Sequence, residues 1–261
     1  MTYFSDMTNP ITTKSNSWIT FPRPTSQANL RLFCFPYAGG GSSVFRGWAE
    51  KLLPEIELCS VQLPGRENRI RESPFKDFFS LVQALAEVLL PYLNSPYAFF
   101  GHSMGGRIIF ELSRYFRKQG APIPKHLFVS ACRAPQMQDP PPPIHNLPDM
   151  EFIERVTNYG CASETVLRNP EVMELFLPLL RADLAVVESY VYTCEAPLDC
   201  PITALGGLQD KIINRKDLNG WCEQTKSTFT LRMFPGNHFF INSQRGNLLN
   251  AIHKDLMRLS I

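Results

Sequence analysis

The sequence GHSMG at residues 101–105 constrains the fold more than any other segment of the chain. A short apolar run at residues 97–100 leads into it, and residues 107–118 follow with apolar positions at helical spacing. Gly101 and Gly105 leave room for a tight turn, because neither carries a side chain that would clash. Ser103 would then lie at a helix N-terminus, where free N–H groups favour negative charge. The pattern predicts strand, sharp turn and helix with Ser103 as a nucleophile, against the alternative of a solvated serine in a glycine-rich turn.

Apolar, β-prone runs alternate with helical stretches along most of the chain. The predicted strands cover residues 30–35, 56–61, 97–100, 126–131, 202–206 and 228–234. The predicted helices cover residues 44–53, 78–93, 107–118, 215–223 and 248–258. Such alternation is typical of a mostly parallel central sheet with helices on both faces. Together with the strand–turn–helix motif it predicts an α/β protein with the α/β-hydrolase fold.

About seventy residues interrupt this alternation before the predicted strand at 202–206. They contain a proline run from Pro140 to Pro143, which we expect to act as a semi-rigid hinge, and helical stretches at 149–159 and 171–192. Structureless loops of this length are rare in compact domains. We therefore expect residues 136–195 to form an inserted helical lid on a core of residues 29–135 and 196–261. Residues 1–28 are expected to be a partly disordered N-terminal segment.

The order of elements in this fold predicts where the partners of a nucleophilic serine lie. The acid follows a later strand and the base follows the last strand. Asp210 comes just after the predicted strand at 202–206, and His238 comes just after the strand at 228–234. The carboxyl ends of the strands are where α/β sheets place their sites. Ser103, Asp210 and His238 are thus the predicted catalytic triad.

The other histidines and aspartates have less suitable positions. His102 adjoins the nucleophile, where packing of the turn is its expected role, and His126 begins a strand. The remaining competitors lie in the proline-rich segment, on predicted helices or before a strand: His145, His253, Asp183, Asp199 and Asp217. We expect structural or surface roles for the histidines, and none of these aspartates has the position of Asp210.

A tetrahedral intermediate needs two hydrogen-bond donors for its oxyanion. One should be the backbone N–H of Met104, the residue after the nucleophile, and the other should come from the loop at residues 36–41. Ala38 is the predicted second donor, with Tyr37 as the near alternative. The three glycines of this loop could also form a flexible turn. A phosphate cradle is less favoured, because the loop lacks the GxGxxG and GxxxxGK[ST] patterns.

Composition restricts the partners and the compartment. The 26 basic and 24 acidic residues leave a net charge of +2, so neither nucleic acid nor an anionic membrane is an expected partner. Seven cysteines without CxxC pairs indicate a reducing compartment. Residues 1–29 lack the basic and apolar blocks of a signal peptide, and no run is long enough to span a membrane. A cytoplasmic location is expected.

The chain resembles a known family, the type II, free-standing editing thioesterases of nonribosomal peptide and polyketide synthases. The segments that carry the resemblance are FPYAGGGSSVFRGW (35–48), QLPGRENRIRE (62–72), FFGHSMGG (99–106), LPLLRADLAVVESY (177–190), GGLQDK (206–211) and PGNHFF (235–240). The resemblance implies hydrolysis of acyl groups from the phosphopantetheine thiol of acyl or peptidyl carrier domains, which clears stalled or mis-primed synthases. It also implies the triad named above and a mobile lid at residues 136–195. We expect neither a cofactor nor a metal, and we expect the protein to be a monomer.

Two features leave alternatives open. Arg107 stands where this family usually has a small or apolar residue, so it either faces solvent or narrows access to the acyl pocket. Arg66, Arg69 and Arg71 form a basic run that could meet an acidic carrier domain or could be a solvated face.

Three other functions compete with thioester hydrolysis. A lipase or carboxylesterase would use the same triad on oxygen esters, and a chain-releasing enzyme would pass the acyl group to an internal amine or hydroxyl. A non-catalytic scaffold that binds acyl carriers would not need all three triad groups. A thiolate leaves without a strongly placed acid, which suits a triad with an oxyanion hole.

Overall fold

The computed structural model describes residues 17–137, 142–159 and 170–258, and it has a seven-stranded sheet of order β1-β3-β2-β4-β5-β6-β7. The strands are β1 Ile19–Thr20, β2 Leu30–Phe35, β3 Ile56–Val61, β4 Tyr97–His102, β5 Leu127–Ser130, β6 Ile202–Gly207 and β7 Phe229–Phe234. β1 runs antiparallel to β3, and every other neighbouring pair is parallel. This is the mostly parallel sheet that the alternation of elements predicts, and the α/β-hydrolase fold is confirmed.

The described residues contain seven α-helices. They are α1 Phe78–Leu89, α2 Met104–Lys118, α3 Asp149–Asn158, α4 Pro170–Glu188, α5 Arg215–Asn219, α6 Phe240–Ser243 and α7 Arg245–Leu256. Short 3₁₀ segments occur at Ser42–Phe45, Glu67–Arg69, Leu90–Tyr92 and Gly220–Gln224. Side-chain caps define some of the starts: Asp77 accepts from the Ser80 N–H before α1, and Asn214 forms a capping box with Asp217 at α5.

The core has one layer on each face of the sheet. Phe33 and Phe99 pack on one face with the apolar sides of α1 and α2. Leu32 and Phe100 alternate to the opposite face, where they pack with Trp48 and α7. Because successive strand side chains point to opposite faces, runs that are apolar at every position are buried on both sides.

The predicted helix at residues 44–53 is wrong. Only the 3₁₀ turn Ser42–Phe45 forms there, followed by isolated turns such as Trp48 N–H to Phe45 O (3.1 Å). Gly47 has φ +76°, a left-handed conformation that cannot continue an α-helix. Apolar spacing alone did not reveal this interruption.

The N-terminal segment contains a strand that sequence patterns missed. Ile19 pairs with Val61 and Thr20 with Ser60 along the edge of the sheet. Residues 1–16 of the predicted partly disordered segment lie outside the described residues. None of the helices in the described ranges is long and apolar enough to cross a membrane.

Helices α3 and α4 lie between β5 and β6 in the chain, where the lid was expected. Phe152 of α3 and Leu180 of α4 are fully buried against the core. Of the proline run, Pro140 and Pro141 lie outside the described residues, as do residues 160–169. The boundaries 136–195 of a mobile lid therefore stay a prediction.

The packing of the turn after β4 leads to a stability prediction. A Cβ on Gly105 would lie 2.3 Å from the Phe35 carbonyl oxygen, and backbone cannot give way as a flexible side chain can. Gly105→Ala should lower the free energy of unfolding by about 3 kcal/mol or more, at or above the upper end for overpacking. Urea unfolding measures this change.

Gly246 in α7 is the matched control, because nothing lies within 4 Å of its Cβ position. Gly246→Ala should stay within about 0.5 kcal/mol of the parent protein. Equal stability of the two variants would contradict the close backbone contact at Gly105.

Candidate active site

Ser103 occupies the sharp turn between β4 and α2. Its φ of 54° and ψ of −113° lie outside the regions that non-glycine residues favour, so the residue is held in a strained conformation. The Ser103 N–H donates to the Ser130 carbonyl at the end of β5 (2.7 Å), and the Ser103 carbonyl accepts from the Gly106 N–H (2.9 Å). These bonds on both sides hold the serine at the carboxyl edge of the sheet.

His238 and Asp210 meet at the ends of β7 and β6. His238 Nδ1 lies 2.8 Å from Asp210 Oδ2. An ionised carboxylate only accepts hydrogen bonds, so Nδ1 carries the proton and Nε2 is left as the basic atom. Asp210 Oδ1 accepts from the N–H groups of Ile212 (2.8 Å) and Ile213 (3.1 Å). The imidazole thus has a defined orientation and tautomer.

The environment of Asp210 favours its charged form. Burial raises the pKa of this carboxyl, but the hydrogen bond and charge of His238 and the two backbone N–H donors outweigh it. The net effect is a pKa below the ordinary value, although the side chain is fully buried. Asp210 is therefore ionised at neutral pH.

A glycine at the end of β6 allows the two loops to approach. A Cβ on Gly207 would lie 2.4 Å from the Asn237 carbonyl oxygen, one residue before His238. The N–H groups of Leu208 and Gln209 donate to the carbonyls of Phe234 (2.8 Å) and Gly236 (2.9 Å). The approach of these backbones brings the acid and the base into contact.

His102 has a more specific role than packing the turn. Its Nδ1 lies 2.9 Å from Ser130 Oγ, and its Nε2 lies 3.0 Å from the His238 carbonyl oxygen. Because a carbonyl only accepts, Nε2 is the protonated atom of this ring. Burial, reinforced by the nearby His238, lowers the pKa of His102 to about 3. A neutral His102 thus connects the serine turn to the backbone of His238.

The predicted oxyanion donors line the same cavity as the serine. Met104 is the first residue of α2, and the first N–H groups of a helix have no acceptor within it. In the loop at residues 36–41, the Gly40 N–H donates to the Tyr37 carbonyl (2.9 Å) and the Gly39 N–H donates to Asp183 Oδ2 (2.7 Å). Tyr37 and Ala38, the two candidates for the second donor, both line the cavity.

A cavity of about 360 Å³ contains Ser103 and His238 in its wall. Ala38, Met104 and Arg107 line it from the core. The segment between β5 and β6 contributes Pro142, Pro143, Ile144, Tyr159, Leu184, Val187 and Glu188. A larger groove of about 860 Å³ lies between residues 73–76 and α4, and it contains none of the predicted catalytic residues.

Arg107 does not face solvent. Arg107 lies one helical turn after Ser103, and the residue is 6% exposed. The guanidinium carbon lies 4.7 Å from the centre of the Tyr190 ring, and Tyr190 donates its hydroxyl to Glu111 (2.7 Å). Of the two interpretations of Arg107, the one that places it at the pocket agrees with the structure.

Two of the three arginines in the basic run at residues 66–71 are buried. Arg66 and Arg69 are 3% and 4% exposed. Arg66 pairs with Asp183, and Arg69 pairs with Glu72 and donates to the Gln62 carbonyl (2.9 Å). The pattern of charges at residues 66–71 could not reveal the pairing of Arg66 with Asp183, because Asp183 lies 117 residues away in the chain. Only Arg71 is exposed.

The competing histidines have other surroundings. His126 bonds to Thr203 (2.9 Å), and His145 bonds to Glu188. Asp217 pairs with Arg133 (3.2 Å). Of the predicted partners of Ser103, His238 lines the same cavity as the serine and is bonded to Asp210. The sheet, the strained serine turn and the His–Asp pair define the class: a protein with the α/β-hydrolase fold.

Comparison with known proteins specifies the family. A family model described as Thioesterase domain matches residues 30–256. The chain is 44% identical over 241 residues to Gramicidin S biosynthesis protein GrsT of Aneurinibacillus migulanus, covering 92% of this chain and 94% of that protein. It is 33% identical over 249 residues to Thioesterase PikA5 of Streptomyces venezuelae, covering 95% of this chain and 88% of that one.

A solved structure is similar over nearly the whole chain. The type II thioesterase BorB from the borrelidin biosynthetic cluster has a TM-score of 0.82 at 33% identity, covering 93% of this chain and 97% of that one. The chain belongs to the thioesterase family, and within it to the type II thioesterases of nonribosomal peptide and polyketide systems. The resemblance in the sequence motifs is confirmed.

Buried histidines predict a loss of stability in acid. Burial lowers the pKa of His126 to about 4, with Asp255 opposing and Arg232 adding to the shift. In the unfolded chain His126 binds a proton as the pH falls below its ordinary pKa of 6.5. In the folded chain it binds one only as the pH falls to its lowered pKa of about 4. Stability is therefore complete above pH 6.5 and falls as the pH falls through this window.

The low pKa of His126 should therefore make the free energy of unfolding about 2 kcal/mol smaller at pH 5 than at pH 7. His126→Gln should reduce the difference in unfolding free energy between pH 7 and pH 5 by that amount, as measured by urea unfolding at each pH. An unchanged difference would mean that His126 is protonated in the folded protein.

Proposed function

We propose that this thioesterase hydrolyses acyl groups from the phosphopantetheine thiol of acyl or peptidyl carrier domains, thereby removing stalled or mis-primed acyl groups from a synthase. The observation that supports this most strongly is the cavity that Ser103 and His238 share, with Asp210 bonded to His238 (2.8 Å). Its lining from the segment between β5 and β6 is mostly apolar, which suits an acyl chain.

In the proposed mechanism Ser103 attacks the thioester carbonyl while His238 Nε2 takes the hydroxyl proton. The same histidine then donates that proton to the departing thiolate and activates the water that hydrolyses the acyl-enzyme. Asp210 holds the ring and stabilises its charged form, which agrees with its full burial and low pKa. These roles require the bond between Asp210 and His238.

The oxyanion of each tetrahedral intermediate would accept from the N–H groups of Met104 and Ala38. Met104 is favoured by its place at the start of α2. Ala38, which lines the cavity beside Tyr37, is our choice for the second donor, with Tyr37 as the near alternative. A preorganised pair of donors is worth more here than in water, because the wall of the cavity is mostly apolar.

The proposed mechanism also supports proposals about the cofactor, the oligomeric state and the cellular location. A triad with an oxyanion hole requires no cofactor, and all of its groups come from one chain, so we propose a cofactor-independent monomer. The cysteines at 34, 59, 132, 194, 200 and 222 are free thiols, which agrees with a reducing, cytoplasmic location. Cys161 lies outside the described residues.

Competition between thioesters and oxygen esters tests the substrate class. We expect a higher kcat/KM for an acyl group on a carrier protein than for the matched p-nitrophenyl ester. Hydrolysis is followed by mass spectrometry of the carrier. A clear preference for the oxygen ester would favour a carboxylesterase, and no turnover of either would favour a binding scaffold.

Ser103 and Asp210 variants test the assigned roles. Ser103→Ala should fold but lose about 10⁴-fold or more of the hydrolysis rate, and Asp210→Asn should lose about 10⁴-fold because the wrong tautomer of His238 is then favoured. A fluorophosphonate should label the parent protein at Ser103 alone. Labelling at another residue, or full activity of Ser103→Ala, would contradict the mechanism.

Arg107 leads to a prediction about chain preference. Its guanidinium lines the cavity, and an alkyl chain that displaces water from a charged group loses solvation energy. Arg107→Leu should raise kcat/KM for long aliphatic acyl chains relative to acetyl and other short ones, by roughly tenfold. A panel of acyl-carrier substrates measures the ratio. An unchanged ratio would mean that Arg107 does not restrict the acyl chain.

A further inference from the structure

A buried ion pair joins two distant segments beside the cavity. Arg66 Nη1 and Nη2 lie 2.7 Å and 2.8 Å from Asp183 Oδ2 and Oδ1, so the pair is bidentate. The two side chains are 4% and 3% exposed. Arg66 belongs to the loop after β3, whereas Asp183 belongs to α4, the long helix between β5 and β6. Such a pair orients both groups strictly.

Both partners also bind the loop that carries Ala38. Asp183 Oδ2 accepts from the Gly39 N–H at 2.7 Å. Arg66 Nη1 donates to the Gly40 carbonyl at 3.0 Å. The ion pair therefore contacts one donor and one acceptor in consecutive residues, next to the N–H that the mechanism directs at the oxyanion.

Helix α4 packs directly on the same loop. Gly39 has φ +79°, and a Cβ there would lie 3.1 Å from the Phe176 ring and 3.4 Å from Leu180 Cδ1. A Cβ at residue 39 would therefore press on the Phe176 ring. The hydrogen bond from Gly39 to Asp183 is thus one part of a continuous contact between the loop and α4.

We propose that Asp183 is a positioning residue for the oxyanion hole, and that α4 and the loop at residues 36–41 act as one unit. This inference rests on the proposed function of Ala38. By fixing the Gly39 N–H, Asp183 fixes the adjacent peptide and keeps the Ala38 N–H directed into the cavity. Arg66 neutralises the carboxylate, so that no unpaired negative charge lies beside the developing oxyanion.

Asp183→Ala removes the acceptor for Gly39 and should lower kcat about 10²-fold, as expected when one oxyanion donor is misplaced, with KM unchanged. Asp183→Asn keeps an oxygen that can accept from Gly39 and should recover most of the rate. A trifluoromethyl ketone analogue, which forms the oxyanion, should bind Asp183→Ala more weakly by the same factor. A non-hydrolysable thioether analogue should bind equally well to Asp183→Ala and to the parent protein.

Asp255 provides a matched control. It is a buried carboxylate on α7, bonded to Thr203 (2.9 Å) and paired with Arg232, and it does not contact residues 36–41. Asp255→Ala should lose stability but keep its kcat below the unfolding temperature. If both alanine variants lose rate only in proportion to the folded fraction, the role of Asp183 is structural and the proposal is wrong.

The apolar double variant Arg66→Met/Asp183→Leu covers the case in which Asp183→Ala does not fold. Replacing a buried pair by apolar residues of similar volume is often tolerated, yet no acceptor for Gly39 remains. It should show the same loss of kcat with unchanged KM, and a parent-like kcat would overturn the proposal.

All variants are assayed on a p-nitrophenyl ester as well as on an acyl-carrier protein. The oxyanion is common to both reactions. A failure of carrier hydrolysis in the parent protein would therefore contradict the proposed function alone, while the Asp183 comparison could still be made on the ester.

Discussion

The backbone contact between β2 and the start of α2 determines most of the site geometry. Phe35 pairs with Gly101 in the parallel register of β2 and β4, and the Phe35 carbonyl approaches Gly105 more closely than any side chain would permit. The loop with Ala38 begins at the residue after β2, and Ser103 lies in the turn that Gly101 and Gly105 make possible. One contact therefore constrains the distance between the proposed nucleophile and both proposed oxyanion donors.

The histidine side of the site depends on a second set of close contacts. Gly207 lets the β7 loop approach the end of β6, so that His238 reaches Asp210. His102 then connects the serine turn to the His238 carbonyl (3.0 Å). Because burial lowers the pKa of His102 to about 3, this connection is uncharged at neutral pH. The serine and histidine loops are thus held to each other as well as to the sheet.

Local sequence patterns predicted the parts of this arrangement that depend on neighbours in the chain. The alternation of strands and helices and the GHSMG turn defined the fold, and strand order placed Asp210 and His238 at one edge of the sheet. The helix at residues 44–53 failed because Gly47 adopts φ +76°, which apolar spacing does not register. The Arg66–Asp183 pair could not be predicted either, since 117 residues separate its members and each alone looks like a surface charge.

We propose that Ser103 is a nucleophile whose intermediate is held by the Ala38 and Met104 N–H groups. A crystal structure of the protein after reaction with a fluorophosphonate tests this most directly, because the phosphonyl oxygen stands in for the oxyanion. We predict a bond from phosphorus to Ser103 Oγ, with that oxygen about 2.7–3.1 Å from both N–H nitrogens. A phosphonyl group on another residue, or an oxygen turned away from Ala38 towards solvent, would contradict the account.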